Sequence, residues 1–514
     1  MKNYKQTAAF SRLQSLWNQS PDLQTLNRDA ARNQRLTLET ANFLLDLTKT
    51  HLTPAFLDAY GQMLDELDLD AQIEDLFSGR KVNNTEGRPA LHTALRSDDD
   101  IFVDGQNIRP QIREVFDRMQ NLAGRLHQGE LRGITGKPMR YVVNIGIGGS
   151  YLGPLTVTEA LKEHAHIPVA FLSNVDDEHL LDVFRRFPPE ETLYAVVSKS
   201  FSTPETLMNA RHIQNYFIEN YGHEAIAKHF VAVTAHPERA EAFGIAPENI
   251  FPMWDFVGGR YSLWSAAGIS IALSLGYEVF ARLLAGARQA DADFRQLPLE
   301  QNPARLLAAV TFLYNNLAGY GTEAYIPYRQ RLQYLPLFLQ QLIMESNGKS
   351  VQRDGRPVVG PTSPVVFGDT GTNAQHSFFQ ALHQGTQKLP VFFLGYVRSA
   401  SDAHENRRFL LANMLAQAES LAFGRTHDEP HKHFPGNRPS VIWLWDALMP
   451  ENLGYMLAVF EHKTFVESVL WNINAFDQFG VELGKINARK FDERLKTRSG
   501  DRPVERFISK NLDN

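Results

Sequence analysis

A run rich in hydroxyls, Ser198-Lys-Ser-Phe-Ser-Thr-Pro-Glu-Thr206, lies between an apolar strand pattern and a helical pattern. Thr203 followed by Pro204 reads as an N-cap and a first helical residue, and Ser202 with Glu205 fits a capping box. Capping uses one or two of these hydroxyls; it does not account for Ser198, Lys199, Ser200, Ser202 and Thr203 together. At a helix N-terminus, where backbone N–H groups and the helix dipole favour negative charge, such a set makes a phosphate cradle. No Walker lysine pattern accompanies it, which favours a phosphomonoester over a nucleoside triphosphate.

Two glycine loops sit in comparable places. Asn144-Ile-Gly-Ile-Gly-Gly-Ser-Tyr-Leu-Gly-Pro154 follows a strand pattern and opens a helix. It misses the dinucleotide fingerprint because position 151 is Tyr, and Asp176 and Asp177 fall in a helix start instead of closing the next strand. Gly146, Gly148 and Gly149 still let backbone N–H groups approach a ligand, and Ser150 adds a hydroxyl. Gly258-Gly-Arg-Tyr-Ser-Leu-Trp264 sets two glycines before Arg260. That guanidinium suits a phosphate, an oxyanion that develops during reaction, or a structural carboxylate between domains.

Groups able to move protons come later. In Gln341-Leu-Ile-Met-Glu-Ser-Asn-Gly-Lys349, Asn347-Gly348 reads as a C-cap, so Glu345 falls in the last helical turn. The negative end of the helix dipole disfavours a charged carboxylate there, which suits a general base. Gly371–Gly385 carries His376 and His383 seven residues apart. Helical metal pairs use a spacing of four with a third ligand, so no metal is expected. A catalytic imidazole at His376, at the helix start, and a packed or capping one at His383 fit better. Phe476-Asp-Gln-Phe-Gly-Val-Glu-Leu-Gly-Lys485 places Gln478 and Lys485 two turns apart in a helical pattern interrupted by Gly480 and Gly484. Each interior glycine costs about 1 kcal/mol against alanine, so the pair suggests close packing or a ligand.

The elements that must position these groups alternate between short apolar runs and helical patterns, as in βαβ units around a parallel sheet. The first block has strands at Tyr141–Ile147, Pro168–Ser173, Thr192–Ser198, Phe230–Thr234 and Ile250–Trp254, with helices at Leu155–Glu163, Glu178–Arg186 and Glu205–Tyr221. The second has strands at Ala324–Tyr328, Val365–Gly368, Pro390–Tyr396 and Ser440–Trp445. Its helices fall at Gln330–Glu345, Ala374–His383, Asn406–Ala422, Leu453–Ile473 and Gln478–Arg494. The expected class is α/β, with two doubly wound domains joined by a helical stretch over 262–318. Residues 1–110 read as a helical segment packing on the core, with amphipathic patterns at Leu36–Leu47 and Phe56–Leu67; 111–290 and 291–514 are the two domains. Ligands in such sheets bind beyond the carboxyl ends of the strands, where most of the unusual residues lie.

Composition narrows the partners. The chain has 514 residues and a net charge of 52 − 58 = −6, which argues against a nucleic-acid polyanion while leaving room for a local basic pocket. It has no cysteine, which excludes disulfides, thiolate metal sites and cysteine nucleophiles and fits a reducing compartment. No signal-peptide h-region is visible at the N-terminus, and the apolar runs Val391–Val397 and Val441–Trp445 are far short of a membrane span. A soluble cytoplasmic protein is expected.

Together, Asp255–Trp264 and Phe476–Lys485, with Gly146–Pro154, Ser198–Thr206, Met344–Lys349 and Gly371–Gly385 in order between and before them, resemble the glucose-6-phosphate isomerase (phosphoglucose isomerase) family over residues 140–490. The resemblance implies two sugar-isomerase (SIS) domains and a cytoplasmic homodimer acting in glycolysis and gluconeogenesis without cofactor or metal. It implies that Glu345 moves a proton between C2 and C1 of the open-chain sugar. His376 would open the ring, reaching into the partner's site, with Lys485 assisting, and Arg260 would stabilise an enediolate. Ser198, Ser200 and Thr203, with the Lys199 backbone, would hold the phosphate; Gly149, Ser150, Gln341 and Gln478 would line the sugar. Two rival readings are a non-catalytic sugar-phosphate sensor and an isomerase acting on another sugar phosphate, such as mannose 6-phosphate.

Overall fold

Val142, Val143 and Ile145 are fully buried, and every residue of Thr192–Val197 and of Phe230–Thr234 is buried. Strands apolar on both faces belong to parallel sheets covered by helices on both sides. The computed structural model, which describes residues 2–399 and 402–512, contains two such sheets.

In chain order the strands are β1 (Thr37–Glu39), β2 (Phe43–Asp46), β3 (Tyr141–Ile145), β4 (Val169–Leu172), β5 (Thr192–Val197), β6 (Phe230–Thr234) and β7 (Ile250–Pro252), then β8 (Thr322–Pro327), β9 (Val365–Phe367), β10 (Val391–Arg398) and β11 (Ser440–Ala447). A further two-residue pair, Phe102–Val103 and Gln106–Asn107, stands apart. The first sheet is parallel throughout in the order β4-β3-β5-β6-β7, and the second runs β1-β2-β11-β10-β8-β9 with its last four strands parallel. Both expected doubly wound sheets are present. The order of the first reverses beside β3, so the loops after β3 and β5 open a crevice at a topological switch point.

Leu36–Leu47 is not helical. β1 and β2 form an antiparallel pair, with Leu38 opposite Leu45, and β2 extends the second sheet antiparallel to β11. Phe43 and Leu45 are buried while Leu44 and Asp46 are partly exposed, the alternation of a strand. Phe43 packs on Trp445 at a centroid distance of 4.8 Å and on Tyr455 at 5.6 Å. The N-terminal segment is thus part of the second sheet as well as a helical cover.

The boundary expected at 290 passes through the helix Tyr277–Gln296. That helix crosses Pro450–Trp471 so closely that a Cβ on Gly286 would lie 1.8 Å from the Glu451 carbonyl oxygen, and one on Gly454 would lie 2.0 Å from that of Leu283. Reciprocal glycines let two long helices approach backbone to backbone, and Met1–Ala475 forms one unit. Pro450–Trp471 is buried continuously from Leu453 onward. Its charged residues are paired: Glu461 accepts from Arg96 and Trp264 at 2.7 Å each, and Lys463 meets Glu467 at 2.5 Å and Glu323 at 3.5 Å. Burial pushes the Glu461 carboxyl up to about 7.

Phe476–Asn514 forms a second unit. It holds a 3-10 turn at Phe479–Val481 and helices at Glu482–Lys496 and Pro503–Asn511. The Phe491 ring sits under the guanidinium groups of Arg494 and Arg502, at 5.7 and 5.5 Å. The helix expected from Gln478 begins at Glu482. Within this unit, a Cβ on Gly480 or Gly484 would meet nothing within 4 Å.

Candidate active site

The glycine loop after β3 is shaped by backbone contact. Gly148 has φ +61°, in the region that favours glycine. A Cβ on Gly149 would lie 1.9 Å from the Gly259 carbonyl oxygen and 2.6 Å from the Arg260 nitrogen. The loops 146–150 and 258–260 therefore touch, and Gly149 is the residue that permits it. The buried Asn144 amide donates to the Ser150 carbonyl at 3.0 Å and closes the first loop on its own strand. Above it stands Gln341, whose amide nitrogen would lie 3.0 Å from a Cβ on Gly148.

The loop between β5 and the helix Pro204–Tyr221 turns through Phe201, a buried non-glycine residue at φ +43°. Such strain costs on the order of 1–3 kcal/mol and persists where the surroundings enforce it; here Phe201 packs on Phe243 at 5.9 Å. The expected capping box is absent: Thr203 is the N-cap but makes no side-chain cap bond. Its hydroxyl accepts from Ser198 at 3.2 Å, and Ser202 donates to Ser200 at 2.8 Å. Leaving the side-chain cap unmade keeps the helix N-terminus open to an anion.

Lys199 departs from the expected cradle in one respect. Its ammonium donates to the carbonyls of Asp255 and Val257, both at 3.1 Å, and lies 3.5 Å from the Asp255 carboxylate. Burial holds its pKa below the ordinary lysine range. The side chain thus ties the hydroxyl loop to the segment before Arg260.

Glu345 lies in the last turn of its helix, as expected, but that turn is a π-turn. Gln330–Glu345 is not one regular helix: a 3-10 turn at Gln330–Leu332 precedes the α-helix Leu335–Leu339, which widens into a π-helix over Gln340–Glu345. π-Turns recur at functional sites because the extra residue redirects side chains. The Gln341 amide donates to the Glu345 carboxylate at 2.9 Å. Gly348 ends the segment, where a Cβ would sit 2.4 Å from the Met344 carbonyl oxygen. Lys349 donates to the carbonyls of Glu345 and Ser346 at 3.1 and 2.9 Å, satisfying helix-end acceptors.

Arg260 meets this turn. Its side chain is 2% exposed, and Nη1 stands 3.8 Å from the Glu345 carboxylate, whose side chain is 25% exposed. Nε donates to Ser346 Oγ at 2.6 Å, and Nη2 donates to the Ala475 carbonyl. Ser346 Oγ also shares a hydrogen bond with the Tyr261 hydroxyl at 2.8 Å. Asn347 anchors the same turn to the buried helix, donating to the Thr464 carbonyl and the Glu467 carboxylate at 3.0 Å each. Glu345, Arg260, Gln341 and both glycine loops thus converge, a partly exposed carboxylate beside a buried cation.

His376 is exposed at the C-terminal end of the short helix Gly371–Gln375, not at a helix start, because the expected helix breaks before Phe379–Gln384. His383 is packed, its Nε2 paired with the Gln417 amide oxygen at 2.7 Å and its pKa lowered by burial. In the second unit Gln478 precedes the 3-10 turn, and Lys485 pairs with Glu482 at 2.8 Å on an exposed helix face. Among the described residues no group of three or more His, Asp or Glu side chains could hold a metal ion.

Sequence reasoning missed Ser346, Tyr261 and Asn347, although each lies inside a quoted motif. Ser346 and Asn347 follow the π-turn and Tyr261 lies in the 3-10 turn Gly259–Trp264, and their partners are set by tertiary contact, which has no signature in residue type.

Comparison with known proteins adds the chemistry of relatives. A family profile described as phosphoglucose isomerase matches residues 46–505. Glucose-6-phosphate isomerase of Christiangramia forsetii is 41% identical over 497 residues, covering 92% of each chain. That of Gloeobacter violaceus is 44% identical over 485 residues, covering 91% of this chain and 88% of the relative. The crystal structure of a glucose-6-phosphate isomerase from Chlamydia trachomatis superposes with a TM-score of 0.89 at 32% identity, covering 100% of this chain and 99% of that one.

Proposed function

The chain belongs to the phosphoglucose isomerase family and interconverts glucose 6-phosphate and fructose 6-phosphate; we propose that Glu345 is the base that carries the proton. Removal of the C2 proton from the open-chain aldose leaves its electron pair in a C1–C2 double bond and negative charge on O1. A proton passes from O2 to O1, and Glu345 returns its own to C1, leaving the carbonyl at C2. One carboxylate suffices because the two carbons are neighbours. Arg260 stabilises the enediolate charge from a site where water is excluded and a cation acts strongly. The observation that carries this reading is the 3.8 Å separation of Arg260 Nη1 from the Glu345 carboxylate, beside a backbone contact between two loops that Gly149 permits.

Ser198, Ser200 and Thr203, with the Lys199 backbone, hold the phosphate at the open helix N-terminus. Gly149, Ser150, Gln341 and Gln478 contact the sugar. His376 opens the ring in the active site of a second protomer, with Lys485 as the cation assisting it. The exposure of His376 supports this role, since an imidazole that serves a neighbour must lie on the surface. The protein then works as a homodimer, and we place it in the cytoplasm, in agreement with the absence of cysteine. No helix among the described residues is long and apolar enough to cross a membrane.

A coupled assay on glucose 6-phosphate, fructose 6-phosphate and mannose 6-phosphate tests the reading. Turnover of the first two supports it. Turnover of none would leave a sugar-phosphate sensor.

A further inference from the structure

Ser346 stands between the two groups that do the chemistry. It follows Glu345 in the chain, and its hydroxyl receives Arg260 Nε at 2.6 Å. It also pairs with the Tyr261 hydroxyl at 2.8 Å. Ser346, Tyr261 and Arg260 are 0%, 2% and 4% exposed. An arginine side chain has four rotatable bonds, and its plane is set only by what its nitrogens bond. Here Nε is held by Ser346 and Nη2 by the Ala475 carbonyl. With two nitrogens tied, the plane of the guanidinium and the direction of Nη1 are determined, and Nη1 faces Glu345.

We propose that Ser346 and Tyr261 are positioning residues that orient the Arg260 guanidinium toward the enediolate. The proposal rests on the reading that Arg260 stabilises that charge. The Tyr261 ring is itself fixed, stacked on His92 at 4.7 Å. Burial pushes its hydroxyl up to about 12, so the phenol keeps its proton and remains able to donate to Ser346. The arrangement couples base and cation mechanically: a shift of the Glu345 turn carries the Arg260 anchor with it. Electrostatic stabilisation of a developing charge depends on donors fixed in advance, and a misdirected donor loses about 10²-fold in rate.

Three variants test this: Ser346→Ala, Tyr261→Phe and Arg260→Lys. Lysine has no Nε–H in that position and cannot use the Ser346 anchor. The kinetic readouts are kcat and KM for fructose 6-phosphate. The binding readouts are 5-phosphoarabinonate, whose planar carboxylate resembles the enediolate, and sorbitol 6-phosphate, which cannot form one. Ser346→Ala is expected to lower kcat about 10- to 100-fold with KM within about threefold, and to weaken 5-phosphoarabinonate in parallel while sorbitol 6-phosphate binds unchanged. Tyr261→Phe keeps the buried ring and should show a smaller effect of the same pattern; it also decides the matter if Ser346→Ala does not fold. In an Arg260→Lys background, Ser346→Ala should add almost nothing.

The proposal is overturned if kcat stays within about twofold of the parent, if both ligands weaken together, or if the two losses multiply. Wild-type turnover and loss of turnover in Glu345→Gln, measured alongside, separate failure of this inference from failure of the functional reading.

Discussion

A Cβ on Gly149 would stand 1.9 Å from the carbonyl oxygen of Gly259. Two glycine loops from the ends of β3 and β7 are thus in backbone contact, and the second carries Arg260. Gly149→Ala must push them apart by more than 1 Å. A displacement of that size at a positioned group costs about 100-fold in rate, so kcat/KM should fall by at least that much while circular dichroism stays native. Turnover within about threefold of the parent would mean that the contact does not position Arg260.

Glu345→Gln keeps the shape and the Gln341 neighbour but removes the proposed base. Its kcat should fall by about 10²–10⁴ or more, with substrate affinity by isothermal titration retained. Near-normal turnover would assign the proton transfer to another group.

Thr203→Val removes a hydroxyl from the helix N-terminus without changing side-chain shape. A hydrogen bond to a charged group contributes about 1.5–3 kcal/mol, so KM should rise about tenfold or more. The inhibition constant of inorganic phosphate should rise in proportion while kcat holds. If KM moves and phosphate inhibition does not, Thr203 contacts the sugar instead.

His376→Ala and Glu345→Gln should each be nearly inactive alone. If each active site of a homodimer takes Glu345 from one protomer and His376 from the other, unfolding and refolding an equal mixture regenerates sites intact in both residues. Half the dimers are then mixed, each with one complete site, so about a quarter of wild-type activity should return. No recovery, with mixed dimers verified by mass spectrometry, would place both residues on one protomer.

Stability should fall in mild acid through His51. Its ring is buried between the Tyr314 hydroxyl and the Asn437 amide oxygen at 2.9 Å each, and burial lowers its pKa to about 4 from an ordinary 6.5. The folded value lies below the unfolded one, so between pH 6.5 and 4 the unfolded chain binds more protons. Its contribution is intact above that window and declines as pH drops through it, by about 2 kcal/mol at pH 5. Comparing urea midpoints at pH 7.5 and pH 5, the parent should lose more stability than His51→Gln. Equal losses would assign the acid sensitivity to other groups.

Much of the fold was legible from the sequence because the buried strands are apolar along their whole length and bounded by turn residues; β6 was read to the residue. Leu36–Leu47 was misread because a four-residue strand such as β2 offers too few residues to separate period 2 from period 3.6. The helix ending at Glu345 was recognised, but its π-turn was not, since an extra residue in a turn changes side-chain direction without changing composition.

Residue types and short-range spacing alone marked the chemistry: hydroxyls before Pro204, glycines before Arg260, a glutamate ahead of Asn347-Gly348. These signals are local because backbone conformation and capping are local. Tertiary structure alone decided which of these groups meet. It joined Arg260 to Ser346 across 86 residues, set Gly149 against Gly259, and turned the Lys199 ammonium toward the Asp255 and Val257 carbonyls. Such pairings depend on how two sheets and the helices between them pack, and packing follows from volume and burial summed over the whole chain.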